Sequence, residues 1–356
     1  MRTAPARVTG GREAEIGNRT DRLRAGGMVV DVIGLALVAL LAGLALLAEN
    51  GDGRSFVGLL LVATLALVSG RVLGSHHPAI APGLVVVAVG AVLVIGEVQV
   101  GGRVEGLLAY PNALGSLYVQ VAFAGVMLGV ALRWTALKVV AFIAAVAFGW
   151  MAARSSTAAG FTLGLLIVAV PALLRSRWTR PAVLVSFSLF IVFLATTIFL
   201  GAGYREGSDG GLNGAFRAAF TERRVVLWHD AVSIMEDHPG GVGPGRFARF
   251  SPTARVDQDA RWAHNEFLQM GAELGWLGFV LMVLLFVWGF ARLLVNPAPD
   301  PIVALGAASL AALGIHASFD YVLHFAAVPL AAAMILGSAQ ADCGARRSRE
   351  ASDHPD

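Results

Sequence analysis

A histidine and two carboxylic acids stand at the start of a long apolar segment, RWAHNEFLQMGAELGWLGFVLMVLLFVWGF, residues 261–290. If the segment is helical from residue 264, Glu266, Gln269 and Glu273 share one face because they lie three and four residues apart. Glu273 then lies about 10 Å below Glu266. A carboxylate at that depth in a membrane normally faces a bundle interior or a wet cavity. Taken together, these polar residues at the start of the segment predict a polar cavity. Polar contact between helices is the alternative for Glu273, and a simple interfacial position is the alternative for His264.

Two arginines open a second candidate site upstream. In RRVVLWHDAVSIMEDHP, residues 223–239, apolar residues recur at helical spacing, which predicts an amphipathic helix on a membrane surface. Arg224 and Trp228 are i, i+4 neighbours on it. A guanidinium presents a planar fork of donors that suits phosphate. Arg224 and, less directly, Arg223 are therefore candidates to bind a phosphorylated ligand, with a solvated surface charge as the alternative.

Three shorter motifs place polar residues at the ends of other apolar segments. They are GGRVEGLLAYPNALGSLY, AARSSTAAG and HASFDYVLHFAAVP. The polar residues concerned are Arg103, Asn112, Arg154, His316 and Asp320. Ordinary loop polarity explains each motif alone. Together with the first two sites, they predict one pocket rich in arginine, histidine and carboxylate.

Other binding motifs are not favoured. GGVGPGRF, residues 240–247, lacks the Lys-Ser/Thr and the preceding strand of a phosphate-binding loop and predicts a tight turn. His229 and His238 lie nine residues apart without an HExxH spacing, so a metal site is disfavoured. The single cysteine, Cys343, excludes an internal disulfide.

The composition indicates which elements must position these groups. Of the 356 residues, 56% are hydrophobic and 14% are charged, against about 25% charged residues in a soluble domain. Many apolar runs approach the roughly 20 residues that span a bilayer as a helix, and they lack the alternation of barrel strands. The sequence predicts an all-α membrane protein with ten spans, near 28–48, 55–74, 79–96, 107–132, 134–153, 158–174, 181–201, 267–292, 301–318 and 321–338.

The distribution of basic residues predicts the orientation. Of the 27 lysines and arginines, sixteen fall on one side of these spans and three in the opposite short loops. The positive-inside rule makes the first side cytoplasmic. We therefore expect cytoplasmic tails at 1–27 and 339–356, the first basic and disordered, seven spans within 28–201, an extracytoplasmic loop at 202–266 and three spans within 267–338.

The order of the motifs resembles that of bacterial O-antigen ligases and the related O-antigen polymerases. The similar elements are GR..GLLAYPNALG, ARSSTA, RVVLW..A..I..DHP.GVGPGRF, AHNEFLQ..AELGWLG and HASFDYVLHFAAVPLAAAMILG. The resemblance covers about residues 60–340. It implies a C-type membrane glycosyltransferase fold in the plasma membrane of a bacterium, working without metal or cofactor. It also implies that a glycan is transferred from a polyprenyl-pyrophosphate donor to an acceptor hydroxyl at the outer face.

The resemblance also suggests roles for individual residues. His264, in the family's His-Asn motif, would orient or deprotonate the acceptor, and Arg224 would stabilise the departing pyrophosphate. Arg154, Arg103 and Arg223 would assist in binding the donor. The remaining candidates would support or line the pocket, namely Asn112, Trp228, Glu266, Glu273, His316 and Asp320.

The partners and the exact activity stay open at this level. The donor would be the lipid-linked glycan, the acceptor an unknown lipid, glycan or protein, and the surroundings membrane lipids, with no nucleic acid. A polymerase of the same family shares the donor and differs only in the acceptor. An ion-coupled transporter also places acids within the membrane, but here the polar groups cluster on one side. A structural membrane subunit would leave the pocket without a use.

Overall fold

The computed structural model describes residues 10–48, 51–95, 99–100, 103–104, 108–204, 221–257, 260–296 and 300–341. Helices dominate this part of the chain. In order, they are α1 (Gly10–Leu47), α2 (Gly53–His76), α3 (Ile80–Leu84, a π-helical turn Val85–Val89, and Gly90–Ile95), α4 (Pro111–Ala131), α5 (Thr135–Ser155), α6 (Thr157–Leu163), α7 (Leu166–Leu174), α8 (Thr179–Ala202), α9 (Glu222–Asp237), α10 (Phe247–Phe250), α11 (Pro252–Val256), α12 (Glu266–Leu294), α13 (Pro301–Ala317) and α14 (Ala327–Gln340). Two-residue strands β1 (Gln99–Val100) and β2 (Arg103–Val104) pair antiparallel.

The apolar segments form helices because a helix satisfies its own backbone hydrogen bonds in lipid. Within the described residues, seven helices are long and apolar enough to cross a membrane, and three apolar helices are shorter, Ile80–Val92, Pro301–Ala317 and Ala327–Gln340. The prediction of an all-α, multi-pass membrane protein is confirmed. The count of ten spans stays a prediction, since three of the ten segments are shorter than a full crossing.

Two boundaries differ from expectation. Helix α1 begins at Gly10, so much of the tail expected to be disordered, 1–27, is helical, and residues 1–9 lie outside the described part. A helix already formed by the apolar segment extends at little cost into good helix formers such as Arg, Glu and Leu. The last helix begins at Ala327 rather than at 321, because residues 318–326 form a turn and a short 3₁₀-helix, Val322–His324.

The core surrounds two helices made largely of small and apolar residues. Most residues of helix α4 are buried inside the bundle, and so is nearly every residue of α13. Helix α13 packs against α4, α8, α12 and α14. Helix α2 closes the bundle by packing on α14, where a Cβ at Gly337 would overlap the carbonyl oxygen of Leu67. These contacts fix the ends of α4, α12 and α13, which carry the polar motifs.

Helix α12 is broken below its first turns, and a glycine loop fills the break. Gly275 has φ 74° and ψ −175°, a conformation that only glycine adopts readily. The amides of Val242 and Gly243 donate to the carbonyls of Ala272 and Glu273, at 3.0 and 2.8 Å. The GGVGPGRF segment is thus a turn packed into α12, as its sequence predicted, and it satisfies carbonyls that the break releases.

Candidate functional site

Asp320 lies at the centre of the polar cluster and is completely buried. Among the described residues, five groups donate hydrogen bonds to its carboxylate. Oδ1 accepts from Tyr110 Oη at 2.7 Å, His264 Nδ1 at 3.2 Å and the Tyr321 amide at 2.8 Å. Oδ2 accepts from Asn112 Nδ2 at 2.5 Å and Arg224 Nη2 at 3.0 Å. Four distant parts of the chain therefore meet at one carboxylate.

The charge state of Asp320 follows from these donors. Burial raises the pKa of a carboxyl group, but the hydrogen bond from His264 and the positive charge of Arg224 outweigh it and hold the pKa of Asp320 well below its usual range. Burial and the adjacent carboxylate raise the pKa of Tyr110, so its hydroxyl remains a donor. The cluster therefore carries a fixed negative charge at its centre.

His264 adopts a backbone conformation that is rare for a residue with a side chain. Its φ is 50°, in the left-handed region, where such strain persists only if the surroundings enforce it. The buried indole of Trp228 donates to the His264 carbonyl at 3.0 Å. The Tyr321 ring meets the imidazole edge-on, with centroids 4.8 Å apart. Trp228 thus fixes the backbone of His264, while Tyr321 and Asp320 position its imidazole.

The residues that follow His264 build this turn. The Asn265 side chain caps α12 by accepting from the amides of Phe267 and Leu268, both at 3.1 Å. Gln269 reaches back, and its Oε1 accepts from the Ala263 amide at 2.7 Å. A polar residue at position 269 therefore secures the segment that carries the histidine.

The two neighbouring arginines have different partners. Arg224 donates to Asp320, and 22% of its side chain remains exposed, so part of the guanidinium is open to a ligand. Arg223 forms an ion pair with Asp257, and about half of its side chain is exposed. Because consecutive helical residues point in directions about 100° apart, α9 brings only Arg224 to the cluster.

Glu266 and Glu273 are held by different segments. Glu266 Oε1 accepts from the Leu323 amide at 2.7 Å and lies 3.1 Å from His324 Nδ1. Burial lowers the pKa of His324, but the Glu266 charge outweighs it and raises the pKa above its ordinary value. Glu273 accepts from the amides of Gly245 and Phe247, at 2.8 and 3.2 Å, and from Gln269 Nε2 at 2.6 Å. Glu266 thus fixes the 3₁₀-helix, and Glu273 fixes the glycine loop.

A cavity of about 590 Å³ lies beside the cluster. Glu266, Glu273, Trp262 and His324 line it, together with apolar residues of α2 and α12. The rings of Trp262 and His324 lie 4.2 Å apart, and both pack against Tyr321, the residue that contacts His264. A cavity with carboxylates and aromatic rings offers acceptors for hydroxyl groups and flat faces for sugar rings.

For three further predicted residues, no contact with Asp320 or with the cavity is seen among the described side chains. Arg154 is exposed at the end of α5. Arg103 lies in β2, which packs against α4 and α5, but its side chain is outside the described part. His316 is buried against the ring of Phe319, and neither of its ring nitrogens has a hydrogen-bond partner among the described residues. Roles for these three residues stay predictions.

The sequence analysis missed Tyr110, Tyr321 and His324. Each stands beside a residue that was singled out, at the YPN motif or in FDYVLH. An aromatic hydroxyl or imidazole next to a candidate acid was the available signal. No group of three or more His, Cys, Asp or Glu within the described range is arranged to hold a metal ion. Metal independence itself stays a prediction.

Comparison with known families supports the motif-based resemblance. Residues 139–283 match the family model described as O-antigen ligase. The matched range contains Arg154, Arg223, Arg224, Trp228, His264, Glu266 and Glu273. Tyr110, Asn112 and Asp320, which complete the cluster, lie outside it. A search of curated proteins returned no match. The match supports the similarity of residues 139–283 to the O-antigen ligase and polymerase family.

Proposed function

We propose that the chain transfers a glycan from a polyprenyl-pyrophosphate carrier to an acceptor hydroxyl at the outer face of the plasma membrane. The observation that carries the proposal is the joint contact of His264 and Arg224 with the buried Asp320. A potential base and a potential phosphate-binding cation share one carboxylate at the mouth of the bundle. Such a pair suits a reaction in which a proton is removed and a phosphate-linked group departs.

His264 serves as the base in this proposal. When Nδ1–H donates to Asp320, the neutral imidazole leaves Nε2 as the proton acceptor. Nε2 takes the proton of the acceptor hydroxyl as its oxygen attacks the anomeric carbon of the donor. The resulting imidazolium faces the Asp320 carboxylate, which stabilises it. The tautomer and the stabilisation therefore come from the same hydrogen bond, 3.2 Å long.

Arg224 acts on the leaving group. As the new glycosidic bond forms, the bond between the anomeric carbon and the pyrophosphate oxygen breaks, and negative charge grows on that oxygen. A guanidinium stabilises this charge through charge-assisted, often bidentate hydrogen bonds. Arg154 and Arg103 stand at the ends of α5 and β2 and are proposed to contact the same diphosphate. The energy comes from the lipid pyrophosphate, which leaves intact.

The cavity lined by Trp262, Glu266, Glu273 and His324 is proposed to hold sugar residues beside His264. This arrangement suits either a ligase or a polymerase, because both must place a hydroxylated acceptor against the same donor. A transporter would require a polar pathway across the bundle, whereas the groups described here collect at one end.

Reconstitution tests the proposal. The purified protein is placed in proteoliposomes with a polyprenyl-pyrophosphate-linked glycan and a panel of lipid, oligosaccharide and peptide acceptors. We expect a glycosylated acceptor and one released polyprenyl pyrophosphate for each glycan transferred. Acceptance of a second lipid-linked glycan would identify a polymerase, and acceptance of another lipid a ligase. Movement of the lipid-linked glycan between leaflets without bond formation would overturn the proposal in favour of transport.

A further inference from the structure

Three charged side chains meet at the end of the bundle opposite His264. Asp31 Oδ1 accepts from Arg71 Nη1 at 2.9 Å and from Arg292 Nε at 3.0 Å. Glu266 lies in the first turn of α12 and Arg292 in the last, so the two residues stand at opposite ends of a helix that is long and apolar enough to cross a membrane. The three residues therefore lie at the other membrane face. In the orientation expected from the arginine distribution, that face is cytoplasmic.

This cluster has more positive charge than its one carboxylate neutralises. Two guanidinium groups share Asp31, and their side chains are 27% and 12% exposed, for Arg71 and Arg292 respectively. The three side chains by themselves carry one net positive charge. A partly buried cation next to lipid is costly and is normally paired. An anion from outside the chain would complete the pairing.

The groups next to Arg71 also offer donors without acceptors. Arg71 Nη2 donates to Gln340 Oε1 at 2.5 Å. Arg71 Nε and Gln340 Nε2 are buried, and neither has a hydrogen-bond partner within the described residues. Buried donors without partners are expensive. Both unused atoms are N–H donors, so an oxygen-rich anion complements them where a cation would not.

An apolar groove of about 270 Å³ begins at this cluster. Asp31 and Arg71 form its polar end, and side chains of α1, α2, α12, α13 and α14 form its apolar walls. Leu35 and Val68 line the groove and are 60% and 49% exposed, so it opens at the surface of the bundle. A cationic end joined to an apolar groove matches a molecule with an anionic head and a hydrocarbon chain.

We propose that this groove binds an anionic phospholipid of the adjacent leaflet. Its phosphate pairs with Arg71 and Arg292, and an acyl chain lies along the groove past Trp288. Basic sites between transmembrane helices on the cytoplasmic side take such headgroups, because that leaflet carries anionic lipid. The charged end of the groove is separate from the donor site, since it stands at the opposite membrane face. The apolar part of the groove reaches the cavity near His264, because both are lined by Phe56, Leu59, Met282 and Leu323. Arg71 and Arg292 act here as lipid ligands as well as ion-pair partners.

Trp288 provides a direct probe, because it lines the groove and donates to the Val30 carbonyl at 2.7 Å. The full-length protein is reconstituted in phosphatidylcholine vesicles that contain increasing amounts of phosphatidylglycerol with brominated acyl chains, which quench tryptophan. The Trp288→Phe variant gives the part of the signal that other tryptophans contribute. We expect the Trp288 component to be quenched at lower mole fraction by brominated phosphatidylglycerol than by brominated phosphatidylcholine.

Variants test the role of the two arginines. Removal of one arginine near a charged membrane surface weakens anionic lipid binding about fivefold, so Arg71→Gln and Arg292→Gln should each shift the quenching curve by that factor. Arg175→Gln is the matched control, because Arg175 is exposed and predicted to lie on the same face, and its curve should not shift. Size-exclusion profiles establish that each variant is folded.

Three results would overturn the proposal. The first is equal quenching by the two brominated lipids in the wild type, which needs no variant. The second is an unchanged curve in both arginine variants. The third is displacement of phosphatidylglycerol by inorganic phosphate or by polyprenyl phosphate at equal or lower amounts, which would assign the site to a soluble anion or to the carrier lipid. None of these outcomes depends on glycan transfer.

Discussion

At the scale of single residues, the site is organised around the charge of Asp320. A buried carboxylate is stable only when its lone pairs are satisfied and its charge is compensated. Tyr110, Asn112 and the Tyr321 amide satisfy the lone pairs, while Arg224 compensates the charge. In the proposed mechanism, the remaining contact, to His264 Nδ1, matters for the chemistry because it sets the tautomer of the imidazole.

Replacement of Asp320 by asparagine should therefore damage catalysis and stability together. The amide cannot stabilise an imidazolium, so we expect transfer to fall roughly a hundredfold or more. Because the pKa of Asp320 is depressed in the folded protein, its charge stabilises the fold above the unfolded pKa, about 3.9, and that contribution is lost as pH falls. At neutral pH, Asp320→Asn should lower the Tm. Equal Tm and equal transfer rate in wild type and variant would contradict this assignment.

The His324–Glu266 pair should make stability depend on pH in the opposite sense. The pKa of His324 is raised above 6.5 in the folded protein. Its contribution is therefore complete below about pH 6.5 and is lost as pH rises through the folded pKa. We expect the Tm of the wild type to fall across this range and the decline to be smaller in Glu266→Gln. Glu236→Gln is the control, because it alters an exposed glutamate of α9, and its Tm should fall with pH as much as that of the wild type. If the Tm of this control does not fall, a titratable group other than His324 is responsible.

At the scale of elements, the break in α12 and the glycine loop act as one unit. Gly275 cannot acquire a Cβ without overlapping the Pro239 carbonyl oxygen, and Glu273 binds two amides of the loop. The Asp52 amide donates to the Pro244 carbonyl at 3.0 Å, which attaches the α1–α2 connection to the same loop. The ends of α1, α2 and α12 nearest His264 are thus joined beside the cavity.

Glu273→Gln should loosen this unit. The amide oxygen can accept from one loop N–H, but the charge-assisted character of both bonds is lost, so we expect a cost of about 1–3 kcal/mol. Cleavage by an added protease near residues 240–247 should become faster, as seen by mass spectrometry of the fragments. Glu236→Gln is again the matched control. Unchanged protection in Glu273→Gln would show that the glycines alone hold the loop.

The positions of the helices were largely predictable, whereas the centre of the site was not. Length and hydropathy mark the apolar segments, because lipid permits few other structures. Asp320 and His316 look equivalent in the sequence, one turn apart, yet only Asp320 collects donors. That difference depends on where residues 110, 224 and 264 arrive in space. The hydrogen bond from Gln269 to the Ala263 amide likewise appears only once the chain turns at His264.

At the scale of the whole molecule, the two membrane faces differ. The cluster around Asp320 combines acids, histidines and Arg224 beside a cavity, while the opposite face carries Asp31 between Arg71 and Arg292. Helix α12 connects the two faces in one element. We propose that glycan transfer takes place at the first face and that anionic lipid binds at the second.

Cysteine labelling tests the assignment of these faces. Cys343 is the single cysteine, so Cys343→Ser gives a background into which Glu236→Cys or Arg175→Cys is introduced, both at exposed positions. A membrane-impermeant maleimide added to intact spheroplasts should label position 236 and spare position 175 until the membrane is opened. Labelling of position 175 alone from outside would invert the proposed orientation.

The transfer rate of His264→Gln measures the central claim most directly. The variant and the wild type are compared in proteoliposomes with the same lipid-linked glycan and acceptor. Arg249→Gln is the control, because it removes an exposed arginine of α10 outside the cluster. If His264 is the base, its loss should slow transfer by roughly 10²–10⁴-fold, while Arg249→Gln stays near the wild-type rate. A folded His264→Gln protein that transfers the glycan as fast as wild type would contradict the account.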